Sequence, residues 1–104
     1  MLRDRVLVLG GEAEAALGRA MYALTERDSD AARGVIERDD EIDLMYGQLF
    51  HDMIELMASE PATTPRAARL LFVAEHLERV ADYVTDICEL TVYMAEAAVI
   101  KHSY

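Results

Sequence analysis

Tryptophan is absent from this 104-residue chain, and cysteine, proline and glycine are scarce. The chain has one cysteine, Cys88, two prolines and five glycines, and aromatic residues make up 7% of it. A lone cysteine has no partner for an intrachain disulfide, so we expect a small core residue in a reducing compartment. The composition is instead dominated by Ala, Leu, Met, Glu and Arg, which favour helices over sheets. These features predict an all-α fold.

Positive charge and long apolar runs are also in short supply. The 20 acidic side chains outnumber the 10 basic ones, which gives a formal net charge of −10. A chain this acidic repels phosphate backbones and anionic membranes, so we expect no direct nucleic-acid binding. The first apolar run holds only four residues, Val6 to Leu9, between Arg5 and Gly10. It is too short for a signal peptide or a membrane span, so we expect a cytoplasmic protein without membrane insertion.

Two turn-forming stretches divide the chain into three amphipathic segments. The segments run from Leu2 to about Arg27, from Asp30 to Ala58, and from Thr64-Pro65 to about Lys101. Asp28 or Ser29 is a suitable N-cap for the second helix. Thr64 is a suitable N-cap for the third helix, and Pro65 a suitable first helical residue. Short connections make consecutive helices antiparallel. Residues 1–104 are therefore predicted to form one antiparallel three-helix bundle.

Apolar residues spaced three and four apart predict the core face of each helix. In the first helix the stripe is Leu2, Val6, Leu9, Ala13, Leu17, Ala20 and Leu24. In the second it is Val35, Ile42, Met45, Leu49, Met53 and Leu56. In the third it is Leu70, Val73, Leu77, Val80, Val84, Ile87 and Thr91. The second helix has further apolar residues beside its stripe, namely Ile36, Tyr46, Phe50, Ile54 and Met57.

The third helix also has an acidic stripe on another side. At about 100° per residue its five carboxylates fall within an arc of roughly 80°. They are Glu75, Glu78, Asp82, Asp86 and Glu89. Like charges one turn apart repel by a few tenths of a kcal/mol per pair, unless water screens them or a cation neutralises them. The stripe is therefore either a solvated face or one wall of a metal site.

Asp39 and Asp43 lie inside the widened apolar arc of the second helix. An ionised carboxylate among apolar neighbours costs several kcal/mol unless it is paired, hydrogen-bonded or bound to a cation. These two aspartates are thus stronger candidates for metal ligands than the stripe on the third helix. The alternative is that this half of the helix is open to water.

No catalytic machinery accompanies the carboxylates. The sequence has no Glu-x-x-His pair of the di-iron type, no Gly-rich phosphate loop, and no nucleophile with a credible base. His51, His76 and His102 are not at mutual ligand spacing, so we expect surface residues. We therefore expect a protein that is not an enzyme. The alternatives are a carboxylate-bridged metal enzyme and a purely structural helical dimerisation module.

Three short motifs give the chain a family resemblance. Residues 39–46 read DDEIDLMY, residues 77–82 read LERVAD, and residues 87–89 read ICE. This pattern resembles the PhoU family of phosphate-uptake regulators, whose domain is a three-helix bundle. Members have Asp-x-x-[IV]-Asp in the second helix and Leu-Glu-Arg-Ile-[GA]-Asp in the third. The resemblance covers almost the whole chain, and is closest to the second of the two bundles that a typical member carries in tandem.

The resemblance implies metal ligands on two helices. Motif by motif, the implied ligands are Asp39, Asp43, Glu78 and Asp82, with Glu75 and Asp86 as outer members. The family implies iron, zinc or another divalent metal, and we expect Arg79 to orient or pair with the carboxylates. The sequence differs from the family pattern at two positions near this site. Arg38 replaces a residue that is often acidic in the family, and Asp86 replaces an Asn that is common there.

The resemblance also implies partners. PhoU proteins are negative regulators that couple the ATPase of the phosphate-specific ABC transporter to a phosphate-sensing histidine kinase. That role predicts a regulatory adaptor of phosphate homeostasis which acts by protein binding. A single bundle leaves exposed the surface that meets its tandem sister, so we expect a homodimer through the extra apolar strip of the second helix.

Overall fold

The computed structural model describes the backbone of residues 1–103 and the side chains of residues 1–97. It contains α1 (Leu2–Glu26), α2 (Ser29–Ser59) and α3 (Thr64–Ser103), with a 3-10 turn at Pro61–Thr63 before α3. All three helices contact one another in an elongated bundle of 65 × 17 × 16 Å. The predicted antiparallel three-helix bundle is confirmed. His102, predicted to be a surface residue, lies outside the described side chains.

A two-residue turn, Arg27 and Asp28, reverses the chain between α1 and α2. Arg27 ends α1 in the left-handed conformation, with φ 51° and ψ 42°, and the Asp28 amide donates to the Ala23 carbonyl at 2.9 Å. The Asp28 side chain then accepts a hydrogen bond from the Ala31 amide at 3.0 Å. This bond satisfies one of the free amides in the first turn of α2. Asp28 is therefore the N-cap, and α2 begins at Ser29, one residue before the predicted start.

The second turn differs from the prediction. Thr64 has helical angles, φ −51° and ψ −48°, and is already part of α3, so it is not the N-cap. The 3-10 turn before it is closed by a hydrogen bond from the Thr63 amide to the Glu60 carbonyl at 2.9 Å. The Thr63 hydroxyl donates to the same carbonyl at 2.7 Å. The helical geometry thus extends through Pro61–Thr63, where the sequence suggested a loop.

Small side chains line the centre of the core, and the prediction missed them on two helices. In α3 the fully buried positions recur every seven residues at Ala67, Ala74, Ala81 and Cys88, with Val84 and Thr91 between them. Val73 and Val80, predicted to be core, are 49% and 40% exposed. In α1, Leu17 is exposed, and Ala16 and Ala23 are buried in its place. The other predicted core residues of α3, Leu70, Leu77, Val84, Ile87 and Thr91, are buried or packed against the core. Only the two valines are displaced, because the small residues beside them let the helices approach closely.

The core stripe of α2 is confirmed, but its extra apolar strip is only partly a surface. Val35, Ile42, Leu49 and Met53 are buried. Ile36 and Tyr46 are half-buried and pack against the core. Only Phe50 and Ile54 remain exposed as predicted for the strip. The prediction of a continuous exposed strip on α2 is therefore wrong, because Ile36 and Tyr46 complete the core and Met57 is also half-buried.

Two ion pairs link the helices at different ends of the bundle. Arg5 of α1 donates to the Asp52 carboxylate of α2 at 2.7 Å, and Arg33 of α2 pairs with Glu96 of α3. Cys88 is buried as predicted, and burial raises the pKa of its thiol. Across the part of the chain that the structure describes, none of the helices combines the length and apolarity that a membrane crossing requires.

Candidate metal centre on the α2/α3 face

Asp39 occupies a core position of α2 by its register. The seven-residue repeat through Ala32, Tyr46 and Met53 passes through Asp39, and all three neighbours in that series are buried or packed on the core. Asp39 itself is half-buried. A helix this regular would bury an apolar residue there, so the sequence departs from its core pattern at this position.

Three carboxylates from two helices meet at this point. One oxygen each from Asp39 and Asp43 of α2 and Asp82 of α3 can be chosen so that all lie within 4.8 Å of one another. Asp39 and Asp43 are one helical turn apart, and antiparallel packing places Asp82 opposite them. The structure therefore brings together three of the four inner ligands that the sequence predicts.

Burial and repulsion both disfavour the charged form of Asp39. Partial burial is the larger cause that raises its pKa above the ordinary value, and the charges of Asp43 and Asp82 raise it further. A hydrogen bond from Thr85 acts in the opposite direction. The Thr85 hydroxyl donates to the Ala81 carbonyl at 3.2 Å, so the backbone of α3 competes for its single proton. The Asp39 carboxylate is thus only weakly compensated by the protein.

Partial burial and neighbouring negative charges also disfavour the ionised forms of Asp43 and Glu78. The pKa of Asp43 is raised by partial burial and then by Asp82 and Asp40. The pKa of Glu78 is raised by partial burial and then by the charges of Asp82, Asp43 and Asp39. Glu78 lies outside the tight group of three, but its interactions place it beside that group. It is available as a fourth carboxylate at the edge of the site.

Of the remaining residues predicted at the site, Glu75 lies near the carboxylate group, whereas Asp86 and Arg79 do not contact it. Glu75 raises the pKa of Glu78, and it also raises the pKa of Tyr46, after the larger effect of burial. Asp86 is exposed and is not one of the three carboxylates that converge. Arg79 is exposed and makes no ion pair with the described carboxylates. Neither is seen in contact with the group.

The sequence reading missed a second group of potential ligands. His51, Asp52 and Glu55 on α2 also offer ligand atoms within 4.8 Å of one another. All three come from one helix, and the Asp52 carboxylate is already neutralised by Arg5 at 2.7 Å. The signal in the sequence was a histidine with carboxylates one and four residues later. This group lacks the uncompensated charge that distinguishes the α2/α3 site.

The geometry of the α2/α3 group fits a divalent cation. Ligand oxygens that surround one ion at about 2.0 to 2.5 Å lie within about 5 Å of each other, as these three do. The donor set is entirely carboxylate oxygen, which suits hard or borderline ions. A cation there would replace the repulsion among Asp39, Asp43 and Asp82 by attraction. Chemically, the arrangement is an acidic surface on the side of the bundle that offers three carboxylate oxygens to a cation.

The fold and this site together define an acidic three-helix bundle whose carboxylates converge across two helices. The PhoU domain model matches residues 6–91, and the chain belongs to the PhoU domain family. Three similar proteins are each named phosphate-specific transport system accessory protein PhoU homolog. The one from Rhizobium meliloti is 38% identical over 82 residues, that from Aquifex aeolicus 33% over 85, and that from Clostridium acetobutylicum 30% over 86.

The matched segments cover most of this chain but a minority of each relative. They span 79%, 82% and 83% of this chain, and 35%, 38% and 39% of the relatives from Rhizobium meliloti, Aquifex aeolicus and Clostridium acetobutylicum, respectively. The chain therefore spans well under half the length of the curated relatives it matches. No solved structure matches the chain.

Proposed function

We propose that this chain is a regulatory adaptor of a phosphate transport system, which acts by binding partner proteins and not by catalysis. Membership of the PhoU family and the relatives' printed role as accessory proteins of phosphate-specific transport support it. The structural observation that carries it is the convergence of carboxylates on the α2/α3 face. The adaptor is a negative regulator, and its partners are the ATPase of the phosphate-specific ABC transporter and a phosphate-sensing histidine kinase.

The carboxylate face is proposed to hold a divalent cation, with iron and zinc among the candidates. Asp39, Asp43 and Asp82 are the inner ligands, Glu78 is the fourth, and Glu75 and Asp86 are outer members. A bound cation would neutralise part of the repulsion and fix the relative position of α2 and α3. It would thereby stabilise the folded chain by mass action.

Metal analysis tests the cation proposal directly. The purified chain should retain a divalent metal or take one up during titration, whereas the double variant Glu78→Ala, Asp82→Ala should not. The melting temperature of the double variant should be lower than that of the wild type only when metal is present. If the double variant melts higher with and without metal, relieved repulsion on a solvated face explains the cluster better.

Partner capture tests the adaptor proposal. The tagged chain should retain the purified transporter ATPase and the cytoplasmic part of the kinase, and a variant with Asp39, Asp43 and Asp82 changed to Asn should retain less. Deletion of the gene should leave phosphate uptake high in phosphate-rich medium, where a negative regulator would lower it. An unchanged uptake, with no retention of either partner, would contradict the proposed function.

The chain is proposed to work in the cytoplasm as a homodimer. The acidic composition and the single buried cysteine support a cytoplasmic setting. The exposed apolar side chains of the bundle support association. Cell fractionation with an antibody against the chain tests the compartment, and sedimentation tests the assembly.

A further inference from the structure

A groove of about 590 Å³ runs between α1 and α2, close to the turn that joins them. Two arginines and a tyrosine line it, Arg19 and Tyr22 from α1 and Arg38 from α2. The rest of its lining is small or apolar and consists of Gly18, Gly34, two alanines and a valine. This α1/α2 groove therefore combines positive charge, an aromatic ring and an open apolar floor.

Two glycines keep the α1/α2 groove open. A Cβ atom placed on Gly18 or Gly34 would meet no atom beyond its own stretch of helix within 4 Å, so the packing of the chain does not require glycine at either position. A glycine inside a helix destabilises it relative to alanine. Gly11 and Gly47 are equally uncrowded, but neither lines this groove. Larger side chains at Gly18 and Gly34 would fit the fold and fill the groove.

The lining of the α1/α2 groove has positive charge and no negative charge. It contains no aspartate or glutamate, although the chain has 20 acidic and 10 basic side chains. Three other grooves on the bundle each include an aspartate or a glutamate. Within the described side chains, Arg19 and Arg38 form no ion pair, whereas Arg5 and Arg33 do. Both guanidinium groups are therefore available to an anion from outside the chain.

Antiparallel packing places the two arginines at nearly the same level of the bundle. Arg19 lies eight residues before the turn residue Arg27, and Arg38 lies ten residues after the turn residue Asp28. Their levels therefore differ by about 3 Å. Tyr22 is five residues before Arg27, and thus about 5 Å nearer the turn than Arg19. The groove has a cationic end and an aromatic end, about one helical turn apart.

We propose that the α1/α2 groove binds a nucleotide, whose phosphate groups contact Arg19 and Arg38 and whose base packs on Tyr22. Guanidinium groups bind phosphate through paired, charge-assisted hydrogen bonds. Tyr22 is 59% exposed, and an exposed tyrosine ring is a stacking surface for a base. The inference goes beyond the proposed adaptor role and does not depend on it.

The dimensions of the groove favour a small molecule over a helix of a partner protein. Its lining extends over residues 15–22 of α1 and 31–38 of α2, which is about 10 Å along the bundle. A helix of ordinary length is about 15 to 20 Å long. The volume of the groove lies within the range of small-molecule sites. An inorganic phosphate ion would occupy only the cationic end, whereas a nucleotide reaches both ends.

The net charge of −10 is compatible with a bound nucleotide. At physiological ionic strength the interactions between exposed charges are screened beyond about 8 Å, so distant carboxylates contribute little. The two arginines would act in direct contact with the phosphate groups, where screening is weakest. A nucleic acid, in contrast, has to lie along a much longer stretch of the acidic surface. The expectation of no nucleic-acid binding therefore does not extend to a mononucleotide.

Isothermal titration calorimetry of the chain with ADP tests the cationic end of the groove. A chelator is present throughout, so that no metal bridges ADP to the carboxylate site. The wild type should bind one ADP with a Kd below about 1 mM. Arg38→Gln should weaken this binding at least about 10-fold, because it removes a charge-assisted contact. Arg69→Gln is the matched control, since it removes the same charge from an exposed position of α3 outside the groove, and it should bind like the wild type.

Gly18→Leu and Gly11→Leu form a second matched pair, one heptad apart on α1 and uncrowded at both positions. Circular dichroism should show both variants fully helical, since leucine favours a helix more than glycine does. Only Gly18→Leu should abolish ADP binding, because only Gly18 lines the groove. Inorganic phosphate and adenosine should each bind the wild type roughly 10-fold more weakly than ADP, since each uses one end of the groove.

Several results would overturn the inference. They are the absence of saturable ADP binding, an equal loss for Arg38→Gln and Arg69→Gln, and full binding by Gly18→Leu. ADP that binds no more tightly than inorganic phosphate would also overturn it, because the base would then make no contact. If an acidic helical peptide binds in a way that depends on Arg38 and ADP does not bind, the groove receives a partner protein and not a nucleotide. These titrations need neither the transporter ATPase nor the kinase, so their failure is distinct from failure of the adaptor role.

Discussion

Replacing Asp39 by Asn is the sharpest test of the carboxylate site, because it removes one charge and keeps the shape of the side chain. In the metal-free protein at neutral pH, the wild-type Asp39 faces two like charges, Asp43 and Asp82, with oxygens within 4.8 Å. At such distances each repulsion is worth up to about 1 kcal/mol in a water-like dielectric, before salt screening reduces it. Asp39→Asn should therefore stabilise the metal-free chain by roughly 1 kcal/mol.

The assay is thermal unfolding followed by circular dichroism in the presence of a chelator. For a domain of about 100 residues, 1 kcal/mol corresponds to a rise in Tm of about 4 to 8 °C. Glu89→Gln is the matched control, since it also removes one carboxylate charge, from an exposed position of α3 that is not among the proposed ligands. With saturating divalent metal the order should reverse, because the wild type gains binding energy that Asp39→Asn loses.

The pH dependence provides a second readout with a definite sign. The pKa values of Asp39, Asp43 and Glu78 are raised in the folded chain above ordinary values of 3.8, 3.8 and 4.5. Between those ordinary values and the raised ones, the folded chain holds protons that the unfolded chain has released. Metal-free stability should therefore fall as pH rises through that window, and return as pH falls.

The Asp39→Asn variant should show a shallower pH slope in that window than Glu89→Gln, which keeps all three carboxylates whose pKa values are raised. Equal slopes and equal melting temperatures for the two variants would refute the reasoning. In that case the carboxylates would be independently solvated, and their convergence would carry no energetic consequence.

Three further predictions concern the bundle itself. Ala81→Leu should destabilise the chain by about 1 to 3 kcal/mol in urea unfolding, because Ala81 is 1% exposed at a close helix contact. Asp28→Ala should cost about 1 kcal/mol in the same assay, since it removes the N-cap bond to the Ala31 amide, and Asp28→Asn should restore most of it. Cys88 should react with a thiol reagent only after denaturant is added, because it is fully buried and its pKa is raised.

The fold was predictable because its signals are local. Three apolar periodicities and two turn-forming stretches determine the number and order of the helices. The sequence also limits the N-cap of α2 to Asp28 or Ser29, and the structure shows that it is Asp28. On α3 most of the predicted core residues are correct, but the positions of the two valines were not predictable, because large apolar residues flank a row of small ones. Val73 and Val80 resemble core residues in sequence, yet Ala74 and Ala81 occupy the core. Periodicity alone does not tell whether helices pack through large or small side chains.

The carboxylate site was predictable from the α2 residues and less so from α3. Asp39 and Asp43 were recognisable because they interrupt an apolar arc, and the structure brings them within reach of Asp82. The five acidic residues of α3 look alike in sequence, but only Asp82 joins the group of three, because the choice depends on the rotation of α3 against α2. From the sequence alone, the group of His51, Asp52 and Glu55 could not be judged a weaker metal site than the α2/α3 group. That judgement depends on the ion pair between Asp52 and Arg5, which only the structure shows.

The row of small core residues on α3 also explains how one helix can have two different faces. With Ala74, Ala81 and Cys88 at the core, Glu78 and Asp82 lie beside the carboxylates of α2. Val80 and Tyr83 are 40% and 63% exposed. Had the larger valines filled the core, α3 would be rotated about its axis, and that rotation would turn Asp82 away from Asp39. The exposed valines are thus the counterpart of the buried alanines. The same register that brings Asp82 to Asp39 leaves Val73 and Val80 49% and 40% exposed on another side of α3.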